Sequence, residues 1–413
     1  MNNNVNLTEI AGGVCAAEGF SAYGIHCGLR KNTSKLDLAL IKSDVKCASA
    51  GVYTTNKVFA APVGVTRAHL EDGYAQAIIC NSGNANACTP DGYEKANATC
   101  AALSSALGIP EGDVIVASTG VIGQSLDTTP IIAGIPTLID NLASTADGSD
   151  KAALAIMTTD LKKKEYAFSL EIGGKTVKIG GICKGSGMIH PNMGTMLCFI
   201  TTDCAIAPSA LKSALKSAIH TTFNMVSVDG DTSTNDMVTV LASAKAGNAM
   251  IENEGSEGYA EFATALHALS MKMALAIAAD GEGATKLLRC TVSGAKCEDD
   301  ARALAKSVIA SSLVKTAMFG SDANWGRVIC ALGYSGVDFD TSLVDIAFAS
   351  SKGTIDVCKC GRTYEFDEDV AKVILLEDEV EILCNMNSGD ATATAFGCDL
   401  SYDYVKINGD YRS

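Results

Sequence analysis

A mixed chain (α/β or α+β), folded as a layered sandwich of stacked sheets flanked by helices, is what this sequence predicts. Three observations point there. Short apolar runs of strand length stop at Gly-containing turns, longer stretches carry apolar residues at helical spacing, and the two kinds are mixed along all 413 residues. Residues 75–80 (AQAIIC) and 113–118 (DVIVAS) read as strands. Between them, 93–107 reads as a helix with one apolar face, stopped by Gly108. Residues 167–183 read as a hairpin, with AFSLEI and TVKIGGIC on either side of a GGK turn. A strand over 196–201 follows. Pro208 then opens a helix in which Leu211, Leu215 and Ile219 recur every four residues. Phe262, Leu266, Leu269, Met273 and Ile277 mark a longer helix that runs into ADGEGATK. A third helix, over 298–315, carries Leu304, Val308 and Val314. From Thr354 onward the tail reads as strand-like and ends with YDYVKING.

Composition narrows the function classes. The chain is 47% hydrophobic and only 19% charged, with 7 Pro, which is a packed globular composition rather than a disordered one. A net charge of −15 argues against nucleic acid, whose partners present a basic surface. The start, MNNNVNLTEI, lacks the basic-then-apolar pattern of a signal peptide, and no apolar run reaches the ~18–20 residues of a membrane helix. The 16 Cys form no Cys-x-x-Cys pair and His is scarce, so zinc spacings are missing. Cys358 and Cys360 are expected on one face of a strand, and Cys27, Cys80, Cys198, Cys330 and Cys384 as buried thiols in apolar runs. The expectation is a reduced, cytoplasmic protein with neither metal nor membrane partner.

The one break of chemical interest is GSGMIHPNMGTMLCFITTD, residues 185–203. Pro191 and Gly194 stand just before Thr195, and the chain then enters the apolar block 196–200. Attack by the Thr195 hydroxyl on the Gly194 carbonyl, an N→O acyl shift and hydrolysis would expose Thr195 as a new N-terminus. Gly194 tolerates the strained approach. An α-amine has a pKa of about 7.7–8.0, so it can take the proton from its own hydroxyl near neutral pH. Threonine with its own amine is thus both nucleophile and base. VIVASTGVIG supplies a strand that ends in Ser118-Thr119-Gly120, a turn able to aim donors at an oxyanion. On residue type alone the bland alternatives stand beside these: a loop-to-strand junction at 194–195, an ordinary turn at 118–120, a surface lysine at 184. VDGDTSTND holds Asp229, Asp231 and Asp236, but lacks the Gly that a calcium loop needs at its sixth place, so turn and cap roles are expected. NSGNANAC reads as a tight turn near the site with Asn81 hydrogen bonding there, and Trp325 as a packing anchor.

NSGNANAC, VASTGVIG, KGSGMIHPNMGTML, VDGDTSTND, DGEGATK and GSDANWGR, in this order and over nearly the whole chain, resemble the arginine-biosynthesis ornithine acetyltransferase (glutamate N-acetyltransferase) family. The resemblance implies self-cleavage between Gly194 and Thr195 into pieces 1–194 and 195–413, assembled as a heterotetramer of two copies of each. It implies transfer of the acetyl group from N-acetylornithine to glutamate through Thr195, with Thr119 and Gly120 at the oxyanion-hole positions. Thr158, Lys184, Thr195, Glu282, Asn408 and Ser413 match substrate-contacting positions. Lys184 suits a substrate α-carboxylate and Glu282 the ornithine ammonium, whereas on residue type alone Glu282 reads as a solvated turn acid and Ser413 as a frayed terminus. No cofactor or metal is expected, with acetyl-CoA an alternative acetyl donor. Where the family more often has alanine, this chain has His190 and Gly194, and His190, five residues from Thr195, either influences the pKa of Thr195 or, the preferred reading, faces solvent. Rival readings are a self-processed amidase or aminopeptidase on the same scaffold, and an uncut binding protein.

Overall fold

A computed structural model of the chain describes residues 5–190 and 196–409. These divide into two compact units that are not consecutive in sequence. The first takes 5–185, 196–223 and 232–273, and the second takes 186–190, 224–231 and 274–409.

The first unit is built on β1 (Thr8–Ile10), β2 (Phe20–Ile25), β3 (Leu38–Tyr53), β4 (Tyr74–Asn81), β5 (Val114–Ser118), β6 (Lys164–Ile172), β7 (Lys175–Lys184), β8 (Leu197–Thr202) and β10 (Met237–Ala242). Across the sheet the order is β1-β6-β7-β8-β10-β3-β4-β5, with β2 also paired to β3. Its central strands are buried on both faces. Ala39, Ile41, Ile78 and Ile115 enter one apolar cluster, while Leu38, Leu40, Ile79 and Val114 enter another. Two-sided burial explains why these strands read as continuous apolar runs rather than alternating ones. The expected hairpin is β6–β7, and its turn uses Gly173 (φ 56°) and Gly174 (φ 74°), the left-handed pair that a two-residue hairpin loop requires. The helix expected between β4 and β5 is Gly92–Leu107, closed by Gly108 at φ 68°. Pro208–Thr221 buries Leu211, Leu215 and Ile219, as its spacing predicts.

Tyr259–Ala279 is the one described helix long and apolar enough, by length and composition, to cross a membrane, which the sequence reading had not expected of any segment. Its Phe262, Leu266, Leu269, Met273 and Ile277 are all at most 1% exposed, the pattern of a core helix.

The second unit holds β9 (Val226–Ser227), β11 (Leu287–Ala295), β12 (Asp345–Ser350), β13 (Gly353–Lys359), β14 (Arg362–Thr363), β15 (Glu379–Asn385) and β16 (Ala391–Cys398), ordered β14-β13-β12-β15-β11-β16-β9. Helix Glu298–Ala310 packs on β11 and β16, burying Leu304 and Val308. Four expectations are corrected here. The helix expected over 298–315 is two helices, because Ser311 leaves helical geometry (ψ 112°) and its hydroxyl accepts the Val314 N–H, capping Ser312–Phe319. The tail is not uniformly extended: Asp367 caps the helix Glu368–Leu375, and YDYVKING forms the helix Tyr402–Gly409. Cys360 lies beyond the end of β13, exposed and at φ 49°, while Cys358 is buried within the strand. All sixteen cysteines are free thiols, and Cys330, expected to be buried, is exposed.

Candidate active site

In the first unit the site grows from the ends of two parallel strands. β4 and β5 run side by side with Asn81 opposite Ser118, and the chain turns immediately after both. Asn81 organises that turn. Its Nδ2 donates to Ser118 Oγ (2.7 Å), its Oδ1 accepts the N–H groups of Gly83 (3.2 Å) and Asn84 (3.1 Å), and its backbone carbonyl accepts the Thr119 N–H (2.9 Å). From the opposite side Asn235 Nδ2 donates to the carbonyls of Ala85 (2.7 Å) and Ser118 (2.8 Å). Gly120 sits at φ 134°, and a Cβ there would lie 2.8 Å from the Gly83 carbonyl carbon and 2.8 Å from the Asn84 nitrogen. Only glycine fits. The expectation that NSGNANAC forms a tight turn with Asn81 bonded beside Thr119 is met.

Lys184 ends β7 and is buried (9% exposed), not a surface lysine. Its Nζ lies 3.5 Å from Thr119 Oγ1. The residue that ties this region together is one the sequence reading passed over, Asp160. Its Oδ1 accepts the Gly185 N–H (2.7 Å) and Lys164 Nζ (2.7 Å), and its Oδ2 accepts the N–H of half-buried Thr158 (3.0 Å). Three of the predicted positions, Thr119, Thr158 and Lys184, are thereby gathered around one buried carboxylate and one turn. Burial alone would raise the Asp160 carboxyl, yet Lys184 and Lys164 outweigh it and bring its pKa down to about 2. The formal charges of Lys164, Lys184 and Asp160 sum to one positive charge, suited to an anionic substrate group.

That network makes an acid-stability prediction. Asp160's folded pKa lies below its unfolded value of about 3.9, so the stability it confers is complete above roughly pH 4 and is lost as pH falls through about 2. Asp160→Asn should cost about 3–5 kcal/mol at pH 7, because it leaves two buried lysines without their carboxylate. In urea unfolding at pH 7 and pH 3, the gap between variant and wild type should narrow at the lower pH. An equal gap at both would refute the assignment.

In the second unit Glu282 is buried (5% exposed), contrary to its reading as a solvated turn acid. Its Oε2 accepts Asn408 Nδ2 (2.7 Å), and its N–H donates to the Ser186 carbonyl (3.1 Å), so two predicted substrate-contacting residues are brought together here. Gly187 lies against it: a Cβ there would fall 2.4 Å from the Glu282 carboxylate, which would have to shift. His190 does not face solvent. Its Nδ1 lies 2.9 Å from Ser227 Oγ, and burial, then the charge of Lys306, push its pKa down to about 4, so it is neutral near pH 7. Asp229 takes the turn role expected of it, accepting the N–H groups of Met188 (2.6 Å), Ile189 (2.8 Å) and Asp231 (3.3 Å). Trp325 opens the helix Trp325–Gly333 and is half-buried. Gly194, Thr195 and Ser413 lie outside the described residues.

Comparison with known proteins decides the family: residues 21–413 match the sequence model of the ArgJ family. The chain belongs to the ArgJ family. Its curated ArgJ relatives include the arginine biosynthesis bifunctional protein of Symbiobacterium thermophilum, 51% identical over 406 residues, 98% of this chain and 99% of that protein. The chloroplastic ArgJ of Sorghum bicolor is 43% identical over 412 residues, 98% of this chain and 88% of its own length. Among solved structures, an ArgJ chain from Bacillus halodurans is 45% identical with a TM-score of 0.50, covering 52% of this chain and 99% of that one. As an ArgJ enzyme the chain is an acetyltransferase of arginine biosynthesis, with glutamate N-acetyltransferase activity. The same membership bears out the mixed α/β class, here two sheets each covered by helices.

Proposed function

We propose that the chain cuts itself between Gly194 and Thr195 into pieces 1–194 and 195–413, and that Thr195 then moves an acetyl group from N-acetylornithine to glutamate by a ping-pong route. The observation that carries this reading is the turn at Thr119-Gly120 with buried Lys184 beside it: donors for an oxyanion next to a cation for a substrate carboxylate. That a solved ArgJ chain aligns over 99% of itself yet covers only 52% of this one supports a polypeptide that becomes two.

In the first half-reaction the neutral Thr195 amine takes the proton from its own Oγ, which attacks the acetyl carbonyl of N-acetylornithine. Thr119 and Gly120 stabilise the oxyanion. The C–N bond breaks, and ornithine leaves carrying the proton from the Thr195 amine. The acetyl group now forms an ester on Thr195. In the second half, the glutamate amine attacks that ester and N-acetylglutamate departs as the proton returns to Thr195 Oγ. One amide is exchanged for another, so no nucleotide, metal or other cofactor is required. Lys184 pairs with the substrate α-carboxylate, Thr158, Asn408 and Ser413 contact the substrate, and Glu282 faces the ornithine ammonium. Assembly as a heterotetramer and a reducing, cytoplasmic setting complete the reading, the latter supported by sixteen free thiols.

The test is N-acetylglutamate formation from glutamate with N-acetylornithine or acetyl-CoA as donor. Transfer from N-acetylornithine is expected. Release of free acetate independent of glutamate would instead favour an amidase. Glu282→Gln should raise KM for N-acetylornithine about tenfold or more, the worth of one charge-assisted hydrogen bond, with a smaller effect on KM for glutamate. Equal effects on both substrates would remove Glu282 from the ammonium site.

A further inference from the structure

Residues 186–190, the last described stretch before the proposed cut, are held at every position. Ser186 is buried, and its Oγ donates to the Asp280 carbonyl (2.6 Å) while its own carbonyl accepts the Glu282 N–H (3.1 Å). Gly187 has no room for a side chain. Ile189 accepts the Val228 N–H at its carbonyl (2.7 Å), and His190 meets Ser227. The centre of the grip is Asp229. One oxygen accepts the Met188 N–H at 2.6 Å and the other the Ile189 N–H at 2.8 Å, so a single carboxylate holds two successive amides. Tyr404 adds a longer hydroxyl contact to the same carboxylate (3.4 Å).

The grip opposes a conformational cost. Met188 sits at φ 56°, the left-handed region that non-glycine residues avoid. Two charge-assisted amide hydrogen bonds to one carboxylate oppose that cost. Loss of the Asp229 carboxylate would remove what holds Met188 at its positive φ. Nothing in the acetyl-transfer chemistry uses this residue.

We infer that Asp229 is a positioning residue for self-cleavage, acting through its hold on the amides of Met188 and Ile189, which precede the Gly194–Thr195 bond in the chain. This rests on the proposed cut. Intramolecular attack depends steeply on geometry, and a misplacement of about 1 Å can cost roughly a hundredfold in rate. The groups that titrate around Asp229 are Asp231 on its own loop, Tyr404 from the last helix, Cys398 from β16, and His190 on the gripped segment. Burial pushes the Asp229 carboxyl above the usual range, against the pull of the two amides. Its protonation therefore begins at a higher pH than that of an ordinary carboxylate and weakens the grip.

The experiment follows cutting of freshly synthesised, pulse-labelled full-length chain on denaturing gels across acidic to neutral pH. Wild type, Asp229→Asn and Asp229→Ala are compared, and melting is measured in the uncut Thr195→Ala background. Asp229→Asn should cut about tenfold more slowly at neutral pH and Asp229→Ala up to about a hundredfold more slowly. The wild-type rate should fall on the acid side, and that fall should be missing in Asp229→Asn while the uncut double variant still melts cooperatively. If Asp229→Ala fails to fold, the Asn variant, of the same shape, carries the test. Wild type that cuts with an Asp229→Asn chain at the same rate overturns the inference. So does a slow Asp229→Asn chain that keeps the wild-type acid fall, which would point to His190, and so does a wild-type rate flat with pH. Wild type that never cuts overturns the proposed cut itself.

Discussion

Thr195→Ala should run as one band on a denaturing gel where the wild type gives two, each near half the mass. The same change should abolish acetyl transfer by roughly four orders of magnitude or more, the scale of losing a covalent nucleophile. Both losses follow from one atom. Without Oγ there is no N→O shift to break the backbone, no free α-amine, and no acceptor for the acetyl group. Thr195→Ser keeps the hydroxyl and should retain both activities in reduced measure. Intact mass separates the outcomes cleanly. A Thr195→Ala chain that still cuts places the break elsewhere, and an intact one that still forms N-acetylglutamate at the wild-type rate assigns the nucleophile to another residue.

The second large effect is expected at the turn after β5. Thr119→Ala should lower kcat about 10²–10³-fold with little change in KM, since an oxyanion donor acts in the transition state and not on the bound substrate. Gly120→Ala should do at least as much for a different reason. At φ 134° the new methyl would press to 2.8 Å against the backbone of Gly83 and Asn84, so the whole turn must move. Stopped-flow acetylation of the cut enzyme isolates the first half-reaction. A Thr119→Ala enzyme with normal kcat and raised KM would make Thr119 a ground-state binding residue instead.

The elements legible in the sequence were those whose signal is local. Leu211, Leu215 and Ile219 behind Pro208, the Gly173-Gly174 turn and the Gly108 stop each declare themselves within a few residues. The Ser311 break was hidden because Leu304, Val308 and Val314 keep an apolar pattern across it while the cap acts through a single hydroxyl. YDYVKING carries the aromatic and β-branched residues of a strand, and becomes a helix where Ser401 Oγ accepts the Asp403 N–H (3.2 Å). The site divides the same way. Thr119-Gly120 follows a visible strand, so its turn could be read. Asp160 was harder to read: Thr158 and Lys164 are near it in sequence, but Gly185 meets it from 25 residues away, and only burial turns the cluster into a network. Glu282 and Lys184 were assigned by resemblance, and only burial distinguishes them from ordinary surface charges.

The order β7-β8-β10-β3 places two strands from beyond residue 195 between neighbours that precede residue 194. A severed backbone would therefore leave the halves interleaved like the fingers of clasped hands. Neither could depart without tearing open a sheet in the middle, and the first piece would keep only part of the sheet it folds upon. Self-cleavage of this kind would change the chemistry of one terminus while the topology, rather than the peptide bond, would enforce a fixed one-to-one pairing.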